Sequence, residues 1–159
     1  MVLGLLWITP ITNRSGADML NAKQDVETAK LNNSALSDMR GCLNASDLTR
    51  IENDIQFLAN QLETDITSKQ WAVGDIPTTS DLSRILQNAE DILSDASDYF
   101  QSSLPILPGN LVTYTNINTL ETALLRIYNA LYEPLYTLNN DMLGVGNDYL
   151  AIRRVLDDE

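Results

Sequence analysis

The sequence predicts an all-α protein, a bundle of about four main helices with a short extended N-terminal arm and a Pro-rich connection. Apolar residues recur at spacings of three and four after residue 13, and this spacing places them on one face of a helix. Asn, Ser or Thr, the residues that cap helix N-termini, precede these stretches. At 159 residues and 44% hydrophobic content, the chain is long and apolar enough to bury a core.

The apolar N-terminal arm comprises residues 1–12. Its first ten residues, MVLGLLWITP, are apolar but too few to span a bilayer, so no membrane insertion is expected. An exposed run such as Leu5-Leu6-Trp7-Ile8 promotes aggregation, and we therefore expect it to pack on something. The sequence is compatible with a short strand or an irregular arm. It leaves open whether the partner is the protein's own core or another chain.

Three further stretches follow the arm. Residues 13–100 are expected to be helical, residues 101–115 to form the Pro-rich connection, and residues 116–159 to form a C-terminal helical region. The first helix is expected from about Ser15 to Leu31, and a short helical turn over residues 35–40 follows it.

The second and third helices have the clearest periodicity. The second begins after Asn44 or Ser46, and its polar residues, Glu52 among them, are expected on the side that faces solvent. The third opens at Thr79-Ser80-Asp81 and fades around Tyr99-Phe100. The predicted core stripes are Leu48, Ile51, Ile55, Leu58 and Leu62 in the second helix, and Leu82, Ile85, Leu86, Ala89, Ile92, Leu93 and Ala96 in the third.

The fourth helix lies beyond the prolines of the connection, which cannot be helical throughout. It is expected to begin near Asn116 or Asn118 and to continue to about Tyr132, before Glu133-Pro134. A turn over residues 135–139 and a last short helix over residues 149–156 are also expected. The predicted stripe of the fourth helix is Leu120, Leu124, Ile127 and Leu131.

Charge and composition argue against several classes of function. The chain has 22 Asp+Glu against 10 Lys+Arg, a net charge of −12, which repels phosphate backbones, so no nucleic-acid partner is expected. It has no His, the commonest general base and metal ligand, and its single Cys42 is expected to be a small packed side chain. The acidic run Glu90-Asp91, Asp95 and Asp98 lacks the spacing of a calcium loop. We therefore predict no catalytic residue, cofactor or metal site.

One six-residue pattern occurs twice, as Ser46-Asp47-Leu48-Thr49-Arg50-Ile51 and as Ser80-Asp81-Leu82-Ser83-Arg84-Ile85. The Ser hydroxyl is expected to cap the helix, the Asp to favour the positive end of the helix dipole, and the Arg to pair with that Asp. One copy indicates only a good helix start, whereas two copies favour a duplicated helix architecture. The residues predicted to hold the fold are Asp47, Arg50, Trp71, Asp81 and Arg84.

The order of these motifs resembles that in helical tail-region and baseplate-region structural proteins of phages and prophages of Gram-positive bacteria. The segment from Gly41 to Glu52 is similar to that family's K-G-A-L-N-x-x-D-L-N-R-I-E, with Cys42 in place of Ala. A T-N-R-T-x-x-D-V-like opening precedes it here at residues 12–19. The matching segments that follow, in the family's order, are Trp71, Ile76 to Ile85, Leu104 to Pro108, and Asn116 to Glu121.

This resemblance implies a non-enzymatic part of a virion, assembled in the bacterial host cytoplasm, at the tail tip, baseplate or receptor-binding apparatus. Its implied partners are other virion proteins and further copies of itself. Two alternatives stay open: a module that binds host cell-surface carbohydrate, and a prophage-encoded cytosolic adaptor. The predicted contact residues are Leu5, Leu6, Trp7, Ile8, Tyr128, Tyr132 and Tyr136, of which the tyrosines recur at spacings of four and would share one helix face if the helix continued through Pro134.

Overall fold

The computed structural model describes residues 6–32, 43–100 and 103–132, and within these ranges the chain is helical with no strand. The predicted all-α class is confirmed. A single 3-10 turn, Ser97–Tyr99, follows the third helix. The helices are α1 (Gly16–Asn32), α2 (Ala45–Leu62), α3 (Thr79–Asp95) and α4 (Tyr114–Tyr132). No helix in these ranges is long and apolar enough to cross a bilayer.

Helices α2, α3 and α4 pack around one hydrophobic core. The predicted stripes supply it, although Leu62, Leu82, Leu86, Leu93 and Leu131 are only partly buried at its edge. Because α4 contacts both α2 and α3, the core joins residues on either side of the Pro-rich connection. The buried members are Leu48, Ile51, Ile55 and Leu58 of α2, Ile85, Ala89 and Ile92 of α3, and Ile117, Leu120, Leu124 and Ile127 of α4, with Trp71, Ala96 and Leu111.

Helix α1 lies largely outside this core. Its bounds agree with the prediction to one residue at each end. Most of its described side chains are exposed, including Leu20 at 67% and Leu31 at 86%, and Ala22 is the buried one. The apolar residues of α1 are distributed around the helix, so no single face can be buried as in the other three helices.

The repeated pattern starts its helices differently from the prediction. The N-caps are Asn44 and Thr78, two residues before each Ser, so Ser46 lies inside the first turn and donates its hydroxyl to Asn44 Oδ1 at 2.6 Å. The Asp of each pattern completes a capping box: the Asp47 N–H donates to Asn44 Oδ1 at 3.0 Å, and its carboxylate accepts from the Asn44 N–H. Thr78 and Asp81 do the same in α3. The Asp of each pattern is therefore the third residue of its helix, and the Ser of each pattern is not the N-cap.

This assignment predicts unequal effects of two neighbouring substitutions. Asn44→Ala is expected to lower the free energy of unfolding by about 1 kcal/mol, because the Asp47 N–H loses its acceptor. Ser46→Ala, whose hydroxyl is exposed, is expected to cost less than about 0.5 kcal/mol. Urea denaturation of both variants measures the difference. An equal or larger loss in Ser46→Ala would contradict the placement of the cap.

Helix α4 begins at Tyr114, earlier than the predicted Asn116 or Asn118. The reason is that Thr113 Oγ1 accepts the Asn116 N–H at 3.2 Å, so Thr113 takes the capping position. Several predictions lie outside the described residues, namely the turns over residues 35–40 and 135–139, the short helix over residues 149–156, and the packing of Cys42.

Candidate functional site

The first feature of the site is a buried carboxylate on α4. Glu121 is 0% exposed and receives four hydrogen bonds. Arg50 of α2 donates from both terminal nitrogens, one of them at 2.9 Å from Glu121 Oε1. Arg14, which precedes α1, donates to the same oxygen at 2.9 Å, and the backbone N–H of Ile11 donates to the other. A buried carboxylate of this kind is tolerated because all its charge and lone pairs are matched by donors.

Asp47 completes this cluster, which then contains two acidic side chains, Asp47 and Glu121, and two basic ones, Arg14 and Arg50. Its Oδ1 lies 3.0 Å from Arg14 Nη2 and 2.9 Å from Arg50 Nη2. Burial lowers the pKa of Arg50, but the hydrogen bonds and charge of Glu121, and then those of Asp47, outweigh it and leave that pKa above its ordinary value. The four side chains of this first carboxylate centre balance in charge.

A second buried carboxylate lies on α2. Glu52 is 1% exposed, and Arg84 of α3 donates to both of its oxygens, at 2.9 Å from Nη1 to Oε2. The indole Nε1 of Trp71 donates to Oε1 at 3.2 Å, and the backbone N–H of Lys69 donates to Oε2 at 3.4 Å. The hydrogen bonding of Arg84 to the Glu52 carboxylate raises the pKa of Arg84 by more than burial lowers it. This second carboxylate centre joins α3 and the segment before it to α2.

The two centres repeat one arrangement. Each Glu is the eighth residue of its helix, counted from Ala45 in α2 and from Tyr114 in α4. Each accepts two bonds from the Arg of one copy of the repeated pattern, and one backbone N–H from the extended segment that precedes another helix. The duplicated pattern thus produces a duplicated contact, in which Arg84 joins α3 to α2 and Arg50 joins α2 to α4.

The ion pairs within the two copies of the pattern differ. The predicted pair of Arg50 with Asp47 is confirmed at 2.9 Å. In the second copy Arg84 instead bonds Glu52, because that buried carboxylate faces it across the α2–α3 contact, while Asp81 pairs with Lys69 at 3.2 Å. Hydrogen bonds from the Thr78 hydroxyl and backbone, and then from Lys69, lower the pKa of Asp81 to about 2.

The described part of the N-terminal arm packs on the chain's own core. The Ile8 N–H donates to Asp54 Oδ1 of α2 at 2.9 Å. The Arg14 N–H donates to Asn118 Oδ1 of α4 at 3.1 Å, and Asn118 Nδ2 donates back to the Arg14 carbonyl at 2.8 Å. Residues 8–14 therefore cross the groove between α2 and α4. They satisfy their backbone groups on side chains, which explains why the segment forms no strand.

Four aromatic rings gather at Trp7 of the arm. Trp7 stacks on Tyr128 at 4.3 Å between ring centroids with an interplanar angle of 11°, and Phe57 lies 5.9 Å from Trp7. Tyr132 joins the cluster at 4.8 Å from Tyr128. Burial, and then the neighbouring Tyr128, raises the pKa of Tyr132. Trp7 and Tyr128, predicted as contact residues for other molecules, thus use their ring faces against each other.

The other predicted contact residues have different positions. Leu6 and Ile8 of the arm are 79% and 43% exposed, so both present apolar surface. Leu5 and Tyr136 lie outside the described residues. Of the residues predicted to hold the fold, all five lie in the two carboxylate centres or bond directly to a member of them, with Trp71 buried to 8% exposure.

Sequence reasoning missed the acids and the base at the heart of the site. Glu52 was expected to face solvent but is buried, and Glu121, Asp54 and Arg14 were not singled out. A signal for the two glutamates exists in the sequence. Each glutamate directly follows a core Ile or Leu and precedes another by three residues. The two segments are Ile51-Glu52-Asn53-Asp54-Ile55 and Leu120-Glu121-Thr122-Ala123-Leu124. This spacing places the glutamate at the border of an apolar stripe.

Two shallow depressions mark the described surface near these centres. One, of about 280 Å³, lies between the Pro-rich connection and α4, and the other, of about 330 Å³, lies between Ile8, the first turns of α2 and Trp71. In the described ranges no three Cys, Asp or Glu side chains come close enough together to hold a metal ion. Asp91 and Asp95 of the acidic run accept hydrogen bonds from Gln87 and Thr64.

Comparison of the chain with models of protein families, with curated proteins and with solved structures finds no match. The site is therefore interpreted from its own geometry and from the resemblance of its motifs.

Proposed function

We propose that the chain is a non-enzymatic structural component of a phage or phage-tail-like particle. Its role there is in assembly of the tail or baseplate, or in attachment of the receptor-binding apparatus. It is made in the cytoplasm of the bacterial host and incorporated into the virion. It acts by burying surface against other virion proteins and against copies of itself.

The observation that carries this proposal is the convergence of the family-like motifs on the two carboxylate centres. Arg14 comes from the first motif, Arg50 and Glu52 from the second, Arg84 from the fourth and Glu121 from the last, and they bond one another directly. Segments that resemble a family only by chance need not contact one another when the chain folds. Direct bonding among them supports a shared fold, and with it the role that the resemblance implies.

The use of these side chains supports a structural role. Their charged groups are buried and bonded within the fold, so they fix the relative positions of α2, α3, α4 and the arm. Apolar side chains remain exposed on the described part of the chain, and such side chains are suited to contact with neighbouring proteins. The strongly exposed ones are Leu6, Leu20, Leu31, Val73, Ile76, Ile106 and Val112.

The test is the composition of purified particles. Particles released by a strain that encodes the chain are banded by density, washed at high salt to remove adsorbed protein, and analysed by mass spectrometry. We expect the chain in the particle band at several copies per particle. Its absence from the particles and presence in the host cytosol would contradict the proposal and favour a cytosolic adaptor.

A second measurement separates attachment to host carbohydrate from assembly. The purified chain is incubated with host cell walls, and binding is compared with that of a Tyr132→Ala variant, whose side chain is the most exposed of the aromatic cluster. We expect no sedimentation with the walls. Saturable binding that this variant loses would favour the carbohydrate-binding alternative.

A further inference from the structure

One buried acid is not used by the carboxylate centres. Asp54 of α2 is 1% exposed, and its Oδ1 accepts the Ile8 N–H at 2.9 Å. Its Oδ2 is buried and has no hydrogen-bond partner among the residues that the structure describes. An ionised carboxylate with an unmatched oxygen is costly to bury, whereas the neutral carboxyl costs much less. The docked arm therefore favours the protonated form of Asp54.

The charged groups that face Asp54 do not supply the missing donor. Arg50, one turn earlier on α2, attracts the ionised form, but its terminal nitrogens are bonded within the first carboxylate centre. Glu121 on α4 repels it. From the described residues before α1 come the backbone N–H of Ile8 and, farther along, Arg14, whose terminal nitrogens are bonded in the same centre. Burial raises the pKa of Asp54 by more than the hydrogen bond from the Ile8 N–H and the charge of Arg50 lower it, so that this pKa rises to about 7.

The arm has two separate anchors. The later one, residues 11–14, is bonded to α4 and to Asp47 and makes no hydrogen bond to Asp54. The earlier anchor consists of the hydrogen bond from the Ile8 N–H to Asp54 and the stacking of the Trp7 ring on the Tyr128 ring. Because Ile8 itself is 43% exposed, this part of the arm separates Asp54 from solvent by little more than its own backbone. Residues 6–8 can therefore detach while residues 11–14 stay bound.

We propose that residues 6–8 form a pH-sensitive strap, which closes over Asp54 when this carboxyl is protonated and opens when it is ionised. Opening gives both carboxylate oxygens access to water and releases Trp7 from Tyr128. It also uncovers the ring of Phe57, so an apolar groove between α2 and α4 becomes available. The strap depends only on the geometry of this chain and is independent of the proposed role in a virion.

The sign of the pH effect follows from proton uptake. In the open state Asp54 has an ordinary carboxyl pKa of about 4, and in the closed state a pKa of about 7. The closed state therefore binds more protons between these values. The ratio of closed to open chains falls by up to about tenfold for each pH unit across that interval, and is constant on either side of it.

Fluorine NMR of the full chain labelled with fluorotryptophan tests the strap. The chain has two tryptophans, and Trp7→Phe assigns their resonances. Between about pH 4 and about pH 8, we expect the Trp7 resonance to move from its stacked position, while that of Trp71, bonded to Glu52 away from the strap, serves as the internal reference. A Trp7 resonance that does not change over this range would overturn the proposal.

Two matched variants assign the effect to Asp54. Asp54→Asn cannot ionise, and its amide oxygen still accepts the Ile8 N–H, so its Trp7 resonance is expected to stay at the low-pH position throughout. Asp65→Asn, the same change at an exposed site, is expected to behave as the wild type. The same pH dependence in Asp54→Asn as in the wild type would overturn the proposal.

A measurement on the wild type alone covers the case in which Asp54→Asn does not fold. Amide hydrogen exchange at Ile8 is compared with that at Ile11, which belongs to the later anchor. As the pH rises, we expect the Ile8 rate to increase by up to about tenfold per pH unit beyond the ordinary base-catalysed increase. The Ile11 rate is expected to follow the ordinary increase alone. Equal behaviour of the two amides would contradict the strap.

Discussion

Replacing Glu121 by Ala is expected to lower the free energy of unfolding by about 3–5 kcal/mol, because it leaves two buried guanidinium groups without their main carboxylate. Arg14 and Arg50 would then share Asp47 alone. The free energy of unfolding of a folded domain is only about 5–15 kcal/mol. The loss expected for this one side chain is a large part of that free energy. Urea denaturation followed by circular dichroism measures the change.

Two further variants test whether the cause is unpaired charge. Replacing both Glu121 by Leu and Arg50 by Met leaves the Arg14–Asp47 pair at 3.0 Å intact, so the double variant is expected to be more stable than Glu121→Ala. The exposed Glu90→Ala on α3 serves as the control and is expected to change stability by less than about 0.5 kcal/mol. A loss below about 1 kcal/mol in Glu121→Ala would show that this contact does not hold α4 in place.

Truncation of Leu124 to Ala is expected to cost about 2–5 kcal/mol, since the side chain is fully buried at the centre of α4 and its loss leaves a cavity. The same truncation at Leu20 of α1, which is 67% exposed, is expected to change stability by less than about 0.5 kcal/mol. Thermal and urea unfolding of both variants provide the comparison. Equal losses at the two positions would contradict the placement of α1 outside the core.

The apolar periodicity predicted the helices and most of their core residues. The stripe of α2 illustrates why this succeeds: Leu48, Ile51 and Ile55 recur at the helical repeat, and only one face of a helix can satisfy that spacing. The caps were predicted less well. Asn, Ser and Thr are all suitable at the capping position. The choice between Asn44 and Ser46 depends on the second bond of the capping box, which the Asn44 N–H donates to the Asp47 carboxylate.

The carboxylate centres could not be predicted in the same way. Periodicity assigns a polar residue to the solvent side, and Glu52 is buried only because Arg84, 32 residues later, lies opposite it. Likewise Glu121 is buried because Arg50, 71 residues earlier, reaches it. The stability of a buried carboxylate depends on donors from other elements, and their position is known only once the helices have been packed.

The partner of the N-terminal arm was left open for a related reason. A short apolar run indicates that the segment packs against another surface, but it does not specify which surface. That surface is formed by Tyr128, Asp54 and Asn118, which lie on two helices that are distant in sequence. The arm's backbone N–H groups find side-chain acceptors there, and no pattern in the arm itself encodes them.

The bonds between the arm and α4 also determine when the fold can be completed during synthesis. Ile11 lies 110 residues before Glu121, and Arg14 lies 107 residues before it. The ribosome therefore makes the arm well before α4, which forms one wall of its groove. Contacts between residues so far apart form slowly, because the entropy of closing a long loop is lost before the contact is gained. The nascent chain accordingly has no complete site for residues 8–14 until α4 has left the exit tunnel.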